Sequence, residues 1–213
     1  MNTDDLILRL ARDTRPVRRG AVWRRIAIGV AIGGMVAALK DLIGMKMGAQ
    51  VGFALKGPDF WIKRGYKLLL SAVALAVTAQ LARPDTGRVR GLWLIAVPVM
   101  LLACLGFLEL ARMPPSAWLT MWLGQSWKTC PWRVLSLSAP IFAGLLWSFR
   151  KLAPSRLRAA GAAAGLSAGA FAATVYCLHC PEVSAIFVLT WYSLGILLAT
   201  LLGALLGPRL LRW

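Results

Sequence analysis

The residues able to do chemistry in this chain are few: four cysteines and a single histidine. Two of the cysteines and the histidine share one short string, Cys177-Leu-His-Cys-Pro-Glu182. Cys130 lies well upstream of it. Cys104 falls in the middle of an apolar run, where a free cysteine is expected to be a small buried hydrophobe. Thiolate, imidazole and carboxylate are ligands of zinc- or cadmium-type ions, so Cys130, Cys180 and His179 form one candidate metal set. In an oxidising compartment the same two cysteines could instead close a Cys130–Cys180 disulfide. A Cys-x-x-Cys spacing is a weak signal by itself, and the convergence of Cys130 on it depends on how the chain is threaded. A purely structural role for these cysteines stays open.

Two other constellations carry charge. The N-terminal string runs Asn2-Thr-Asp-Asp-Leu-Ile-Leu-Arg-Leu-Ala-Arg-Asp-Thr-Arg-Pro-Val-Arg-Arg19. Asn2 or Thr3 can cap a helix, and Asp4 and Asp5 suit the positive end of its dipole. Leu6, Ile7 and Leu10 then form an apolar stripe at helical spacing, and Pro16 should end the helix. About three turns are marginal alone in water, so the segment either lies on a membrane or folds into a partner's groove. A tail that merely sets topology is the plainer alternative. Farther on, Glu109 and Arg112 are three apart and could pair on a helix, or lie at a membrane boundary. No Ser/His/Asp set, phosphate loop or paired-carboxylate site is present, and the chain is not expected to be an enzyme.

The elements that must position these groups are membrane spans. The chain has 213 residues, of which 59% are hydrophobic and 15% charged, and its mean hydropathy is +0.67. A soluble domain is nearer half apolar and a quarter charged. The apolar residues gather into runs long enough to cross hydrocarbon, at about 23–39, 66–82, 91–111, 132–149, 159–178 and 185–206. This excludes a soluble enzyme, a secreted disulfide scaffold and a disordered regulator. The fold expected is all-α: a bundle of six transmembrane helices over residues 21–213, preceded by a short cytoplasmic helix within 1–20. The first twenty residues are polar and carry five arginines, unlike a cleavable signal peptide.

Basic residues outnumber acidic ones 25 to 8, for a net charge of +17. In a soluble protein that would suggest nucleic acid. Here no basic, aromatic-interleaved domain exists to bind it directly, and loop arginines that fix topology and meet anionic lipid explain the excess. Counting alternate sides places 16 basic residues with the two termini and 9 on the opposite side. Both termini are therefore expected in the cytoplasm of a bacterial inner membrane. That threading sends Cys130, Cys177, Cys180 and His179 to the outer side together. Pro114–Pro115 should end the third span, and 116–127 should form a short helix in the outer interface. Gly161, Gly165 and Gly169 form a small-residue ridge that lets helices approach closely. Gly29–Gly33 and Gly203–Gly207 repeat the spacing. These faces serve packing within the chain or a homodimer.

The N-terminal string, six spans, Phe60-Trp61-x-Lys63, Cys130, His179-Cys180-Pro-Glu182, Trp191-Tyr192 and the closing Leu-Leu-Arg-Trp213 together resemble the negative-regulator-of-sigma-F family of inner-membrane anti-sigma factors. The likeness covers essentially the whole chain. It implies that the N-terminal segment, through Asp4, Asp5, Leu6, Leu10, Pro16, Arg18 and Arg19, holds an extracytoplasmic-function sigma factor. It also implies that Cys130 and Cys180 are needed for that hold and for the response to metal stress. Cys177 is an extra cysteine beside the pair. No resident cofactor is implied, only a transient heavy-metal or redox ligand at the cysteines. A small exporter and a membrane thiol oxidoreductase are the alternatives. The first would use hydroxyl residues within the spans, such as Ser71, Thr78, Ser167 and Thr174, and the second would use Cys177 and Cys180 as an active pair.

Overall fold

Prolines and charged clusters set the helix ends in this chain, described here in a computed structural model. The structure describes residues 3, 5, 21–44, 58–81, 92–150, 152, 154, 156–177, 180, 182 and 184–212. Among them the secondary structure is entirely helical. Helix α1 is Ala21–Gly44 and α2 is Pro58–Leu81. A 3-10 turn at Leu92–Ile95 leads into α3, Ala96–Ala111. Pro114 and Pro115 end that direction of travel, since proline cannot continue the helix before it but suits the first turn of the next. Helix α4, Pro115–Leu123, starts there. Helices α5, Cys130–Phe149, and α6, Leu157–Tyr176, follow. Helix α7, Ala185–Leu210, contains a wider π segment at Val188–Tyr192.

Five of these helices are long and apolar enough to cross a membrane: Val22–Lys40, Trp93–Ala111, Cys130–Phe149, Leu157–Tyr176 and Ala185–Leu210. Four of the expected spans are matched to within two residues, and a fifth, 185–206, is matched at its start but runs four residues further, to Leu210. The remaining one differs. Helix α2 is as long as α1, but its continuous apolar part is only Leu68–Leu81, because Lys63, Arg64 and Lys67 fall in its first half. The expected N-terminal helix lies outside the described residues except at Thr3 and Asp5, both helical and exposed.

Helix α6 lies at the centre of the bundle and α3 at its edge. Backbone contact joins α6 to α7. A Cβ on Gly161 would overlap the Gly203 carbonyl, one on Gly203 the Gly161 carbonyl, and one on Gly165 the Ala199 carbonyl. The Gly161–Gly165–Gly169 ridge, expected to serve packing within the chain or a homodimer, packs here against α7 of the same chain. The same holds for α1 and α5: Gly29 and Gly144 press their backbones together, and Gly33 meets Pro140 and Ile141. Ser148 adds a bond across this seam, donating to the Arg25 carbonyl at 2.8 Å.

Hydroxyls fasten α2 to α6. Thr78 Oγ1 donates to the Ala163 carbonyl at 2.9 Å, and its oxygen lies 2.7 Å from that of Ser167. One layer away, the Ser71 and Thr174 hydroxyls are 3.3 Å apart. Ser71, Thr78 and Ser167 are all buried. The hydroxyl residues that a transport pathway would have used are engaged in helix packing. The outer surface is apolar, with Ile32, Met35 and Leu39 on α1, Met100 and Phe107 on α3, and Leu201 and Leu205 on α7 all exposed, as a lipid-facing surface requires.

Candidate functional site at the cysteine end

The chemistry-bearing residues converge where α5 begins, α6 ends and α7 begins. Cys130 is the first residue of α5 and is fully buried. Its N–H donates to the Ser126 carbonyl at 2.9 Å, closing the turn between α4 and α5. Cys177 is the C-cap of α6 and is half-buried. Cys180 continues that turn, its N–H donating to the Tyr176 carbonyl at 3.1 Å. Its Sγ lies 3.7 Å from the Ser126 hydroxyl. Tyr176 and Tyr192, both buried, pack with ring centroids 5.6 Å apart and ring planes tilted by 39°. Both are within electrostatic reach of Cys130 and Cys180. The structure thus gathers Cys130 and Cys180 around one pair of tyrosines, with Cys177 also within reach of Tyr192.

Carboxylates hold this end in place. Glu182 accepts the Gln125 N–H at 2.6 Å and the Ser126 hydroxyl at 3.3 Å, tying the segment after Cys180 to the turn before Cys130. Its carboxylate packs onto Gly124, which sits at φ +54°, a conformation L side chains rarely adopt. A Cβ there would come within 2.7 Å of the Glu182 carboxyl carbon. Glycine is required at this position twice over. Glu109, on α3, accepts the Ala185 N–H at 2.6 Å and the Ser184 hydroxyl at 3.4 Å. It therefore caps α7 from another helix, where a carboxylate also suits the dipole. The sequence had suggested only a boundary position or a pairing with Arg112 for this residue.

Tryptophans cover the site. Trp191 Nε1 donates to the Trp122 carbonyl at 2.8 Å, and its ring packs on Trp122 and Trp127 at 5.7 and 5.3 Å between centroids. Lys128 lies over Trp127 at 5.4 Å. The π segment of α7 carries both Trp191, in the cover, and Tyr192, beneath it. Wide turns of this kind are frequent at functional sites.

Several sequence expectations meet the structure unevenly. Cys104 is exposed, not buried, because α3 packs through Pro98, Leu102 and Gly106 and leaves Cys104 on another face. His179 lies outside the described residues, and among those residues no group of three His, Cys, Asp or Glu side chains is placed to hold a metal ion. In the N-terminal segment Asp5 is exposed, while Asp4, Leu6, Leu10, Pro16, Arg18 and Arg19 lie outside the described residues. Sequence reasoning missed Ser126, Glu182 as a tie, and Tyr176. A faint signal existed for Tyr192, in the Trp191-Tyr192 string.

The family whose description is "Negative regulator of sigma F" matches residues 10–213. The chain belongs to this family. It is 38% identical over 216 residues, the full length of both proteins, to the "Probable anti-sigma-F factor NrsF" of Azospira oryzae. It is 39% identical over 215 residues, again the full length of both, to the "Anti-sigma-F factor NrsF" of Caulobacter vibrioides. No solved structure matches. The family match therefore covers every helix described above, including the cysteine end.

Proposed function

We propose that this chain is a multi-pass inner-membrane anti-sigma factor, which holds an extracytoplasmic-function sigma factor through its cytoplasmic N-terminal segment. The observation that carries this is the full-length likeness to two proteins named as anti-sigma-F factors. Both termini lie in the cytoplasm, and α2 supplies a sixth crossing, its 24 residues extending about 36 Å at the usual helical rise. Asp4 and Asp5 meet a basic surface on the sigma factor, where opposite charge sets docking and register. Leu6 and Leu10 enter an apolar groove, with Pro16, Arg18 and Arg19 ending the segment at the membrane.

Release responds to a periplasmic metal or redox stress acting on Cys130 and Cys180, with His179 as a further ligand. The gathering of both thiols around Tyr176 and Tyr192 supports this, because chemistry at either thiol acts where α5, α6 and α7 meet. To switch the protein, the signal must favour one helix arrangement over another. A coupling of about 1–3 kcal/mol changes sigma release from several-fold to about a hundredfold.

The test is co-purification of a sigma factor with the detergent-solubilised protein, together with a sigma-dependent reporter. Changing Asp4 and Asp5 together to Ala releases reporter activity while membrane insertion is kept. Cys130→Ser and Cys180→Ser each disturb repression or induction, and the double variant is no worse than the stronger single one. Repression that survives deletion of residues 2–15 sinks the assignment of the N-terminal segment. Normal regulation in the double cysteine variant reduces those cysteines to packing residues.

A further inference from the structure

Pro140 lies inside α5 and has no N–H to give the carbonyl of Ser136, four residues before it. In a bilayer such a freed carbonyl needs another donor, usually from a neighbouring helix. The structure supplies one from α1: Lys40 Nζ donates to the Ser136 carbonyl at 3.2 Å and to the Ser136 hydroxyl at 3.2 Å. The direction of this side chain is informative. Helices α1 and α5 run antiparallel, with Arg25 beside Ser148, Gly29 beside Gly144 and Gly33 beside Ile141. Continuing that register sets the Lys40 backbone about one turn nearer the Cys130 end than Ser136. A lysine near the end of a span normally snorkels toward the nearer water. Lys40 instead turns back along its helix toward the bilayer interior, the direction in which helical side chains lean, and ends on the freed carbonyl. The groove beside this contact, about 400 Å³, is lined by Ile32, Val36, Ala143 and Trp147 with the glycines, and those side chains bring it no competing ammonium or hydroxyl.

We propose that Lys40 is a positioning residue that ties α1, and with it the N-terminal segment, to α5 by capping the Ser136 carbonyl that Pro140 leaves without a donor. The link to output rests on the sigma-binding assignment above. Helix α5 begins at Cys130 and α1 follows the N-terminal segment directly, so one cap at Lys40 joins the sensing helix to the holding helix. Cys180 is a free thiol in this structure, and the tie belongs to this arrangement. Loss of the cap therefore loosens the repressing state.

The test is a double-mutant cycle on the full chain, comparing wild type, K40M, P140A and K40M/P140A by melting midpoint in detergent and by an unstressed sigma reporter in cells. K40M lowers the midpoint and raises the reporter roughly three- to tenfold, the range of one interhelical hydrogen bond in a membrane protein. K40R, which keeps the charge, loses less, and S136A, which keeps the carbonyl, loses less again. In the P140A background the helix supplies its own donor, so K40M has a clearly smaller effect on both readouts. Equal K40M losses in the two backgrounds overturn the cap. A coupled melting cycle with an unmoved reporter overturns the link to output. Deletion of residues 2–15, run alongside, separates the two claims. If it leaves the reporter repressed, the sigma-binding assignment falls, while a coupled melting cycle still upholds Lys40 as the tie between α1 and α5.

Discussion

Removing the Glu182 carboxylate should expose Cys180. Glu182 holds the segment that follows Cys180 through the Gln125 N–H at 2.6 Å and the Ser126 hydroxyl at 3.3 Å. Ser126 in turn sits 3.7 Å from the Cys180 sulfur. A hydrogen bond to a charged group contributes about 1.5–3 kcal/mol, and partial exposure argues for the low end of that range. Since about 1.4 kcal/mol is a factor of ten in an equilibrium, Glu182→Ala should raise the open population of this segment about tenfold. Thiol labelling that is slow relative to reclosing reads that population directly. The assay is the maleimide labelling rate of Cys180 in detergent, resolved by peptide mass and referenced to the rate in the unfolded chain. Glu182→Gln keeps an acceptor and should give a smaller rise. Gly124→Ala attacks the same contact from the other side, through the φ of +54° and the clash with the Glu182 carboxyl. It too should accelerate labelling, and combining it with Glu182→Ala should add little, because both undo one interaction. Unchanged Cys180 labelling in Glu182→Ala, or fully additive effects of the two changes, would refute the tie.

Three further outcomes follow from the packing. Gly161→Val and Gly203→Val should each lower the melting midpoint, equivalent to about 1–3 kcal/mol of overpacking or more, because each Cβ meets a facing carbonyl. Gly34→Ala, where a Cβ meets nothing within 4 Å, should leave the midpoint unchanged, and a loss there equal to Gly161→Val would discredit the seam. Thr78→Val removes the bonds to Ala163 and Ser167 and should cost about 0.6–1.7 kcal/mol of stability in a chemical-denaturant melt. Periplasm-only reporter fusions should be silent at Arg88 and Trp213 and active near Asp59 and Gln125, and activity at Trp213 would contradict six crossings.

Most of the helices were legible because apolar runs bounded by proline or charge leave few alternatives for a chain in lipid. The faces of those helices were not. In a lipid-exposed protein both the inner and outer faces of a helix are apolar, so hydrophobicity does not say which is buried. That is why Cys104 was expected inside and lies outside, while Leu102, two residues earlier, is buried. Helix α2 shows the complementary limit. It begins at Pro58 although its apolar run begins near Leu68, because helical backbone need not stop where hydrophobicity does. The threading alone put Cys130 and Cys180 at one end of the bundle, where both lie beside Ser126. The residues that fix their surroundings were not legible, since Glu109 caps a helix 76 residues away and Glu182 bonds a turn 57 residues away. Only local spacing was visible, and it offered Arg112.

On the central helix α6, what distinguishes the buried face is size. The buried residues of α6 are alanines, glycines, one serine and a single large side chain, Tyr176. Most leucines and isoleucines of α1, α3 and α7 face outward, while Ile26, Leu102 and Ile196 are the ones turned in. The reason is that lipid already satisfies bulky apolar groups, so the gain from helix association comes from close backbone approach, which small residues permit. Over Gly161, Gly165 and Gly169, α6 and α7 therefore press together with almost no side chain between them. At the cysteine end the spacing changes: Tyr176 packs at a tilt against Tyr192, and Phe187 packs edge-on to the Tyr192 ring at 6.4 Å. Aromatic rings, not backbone, separate the two helices there, and Cys180 emerges just beyond. Backbones in direct contact have little room to slide, whereas side-chain rings can turn or part. On the reading proposed above, a change at Cys180 would act on the compliant end of an otherwise stiff helix pair, and the stiffness would carry the displacement to the far end, where α6 and α7 meet at Gly161 and Gly207.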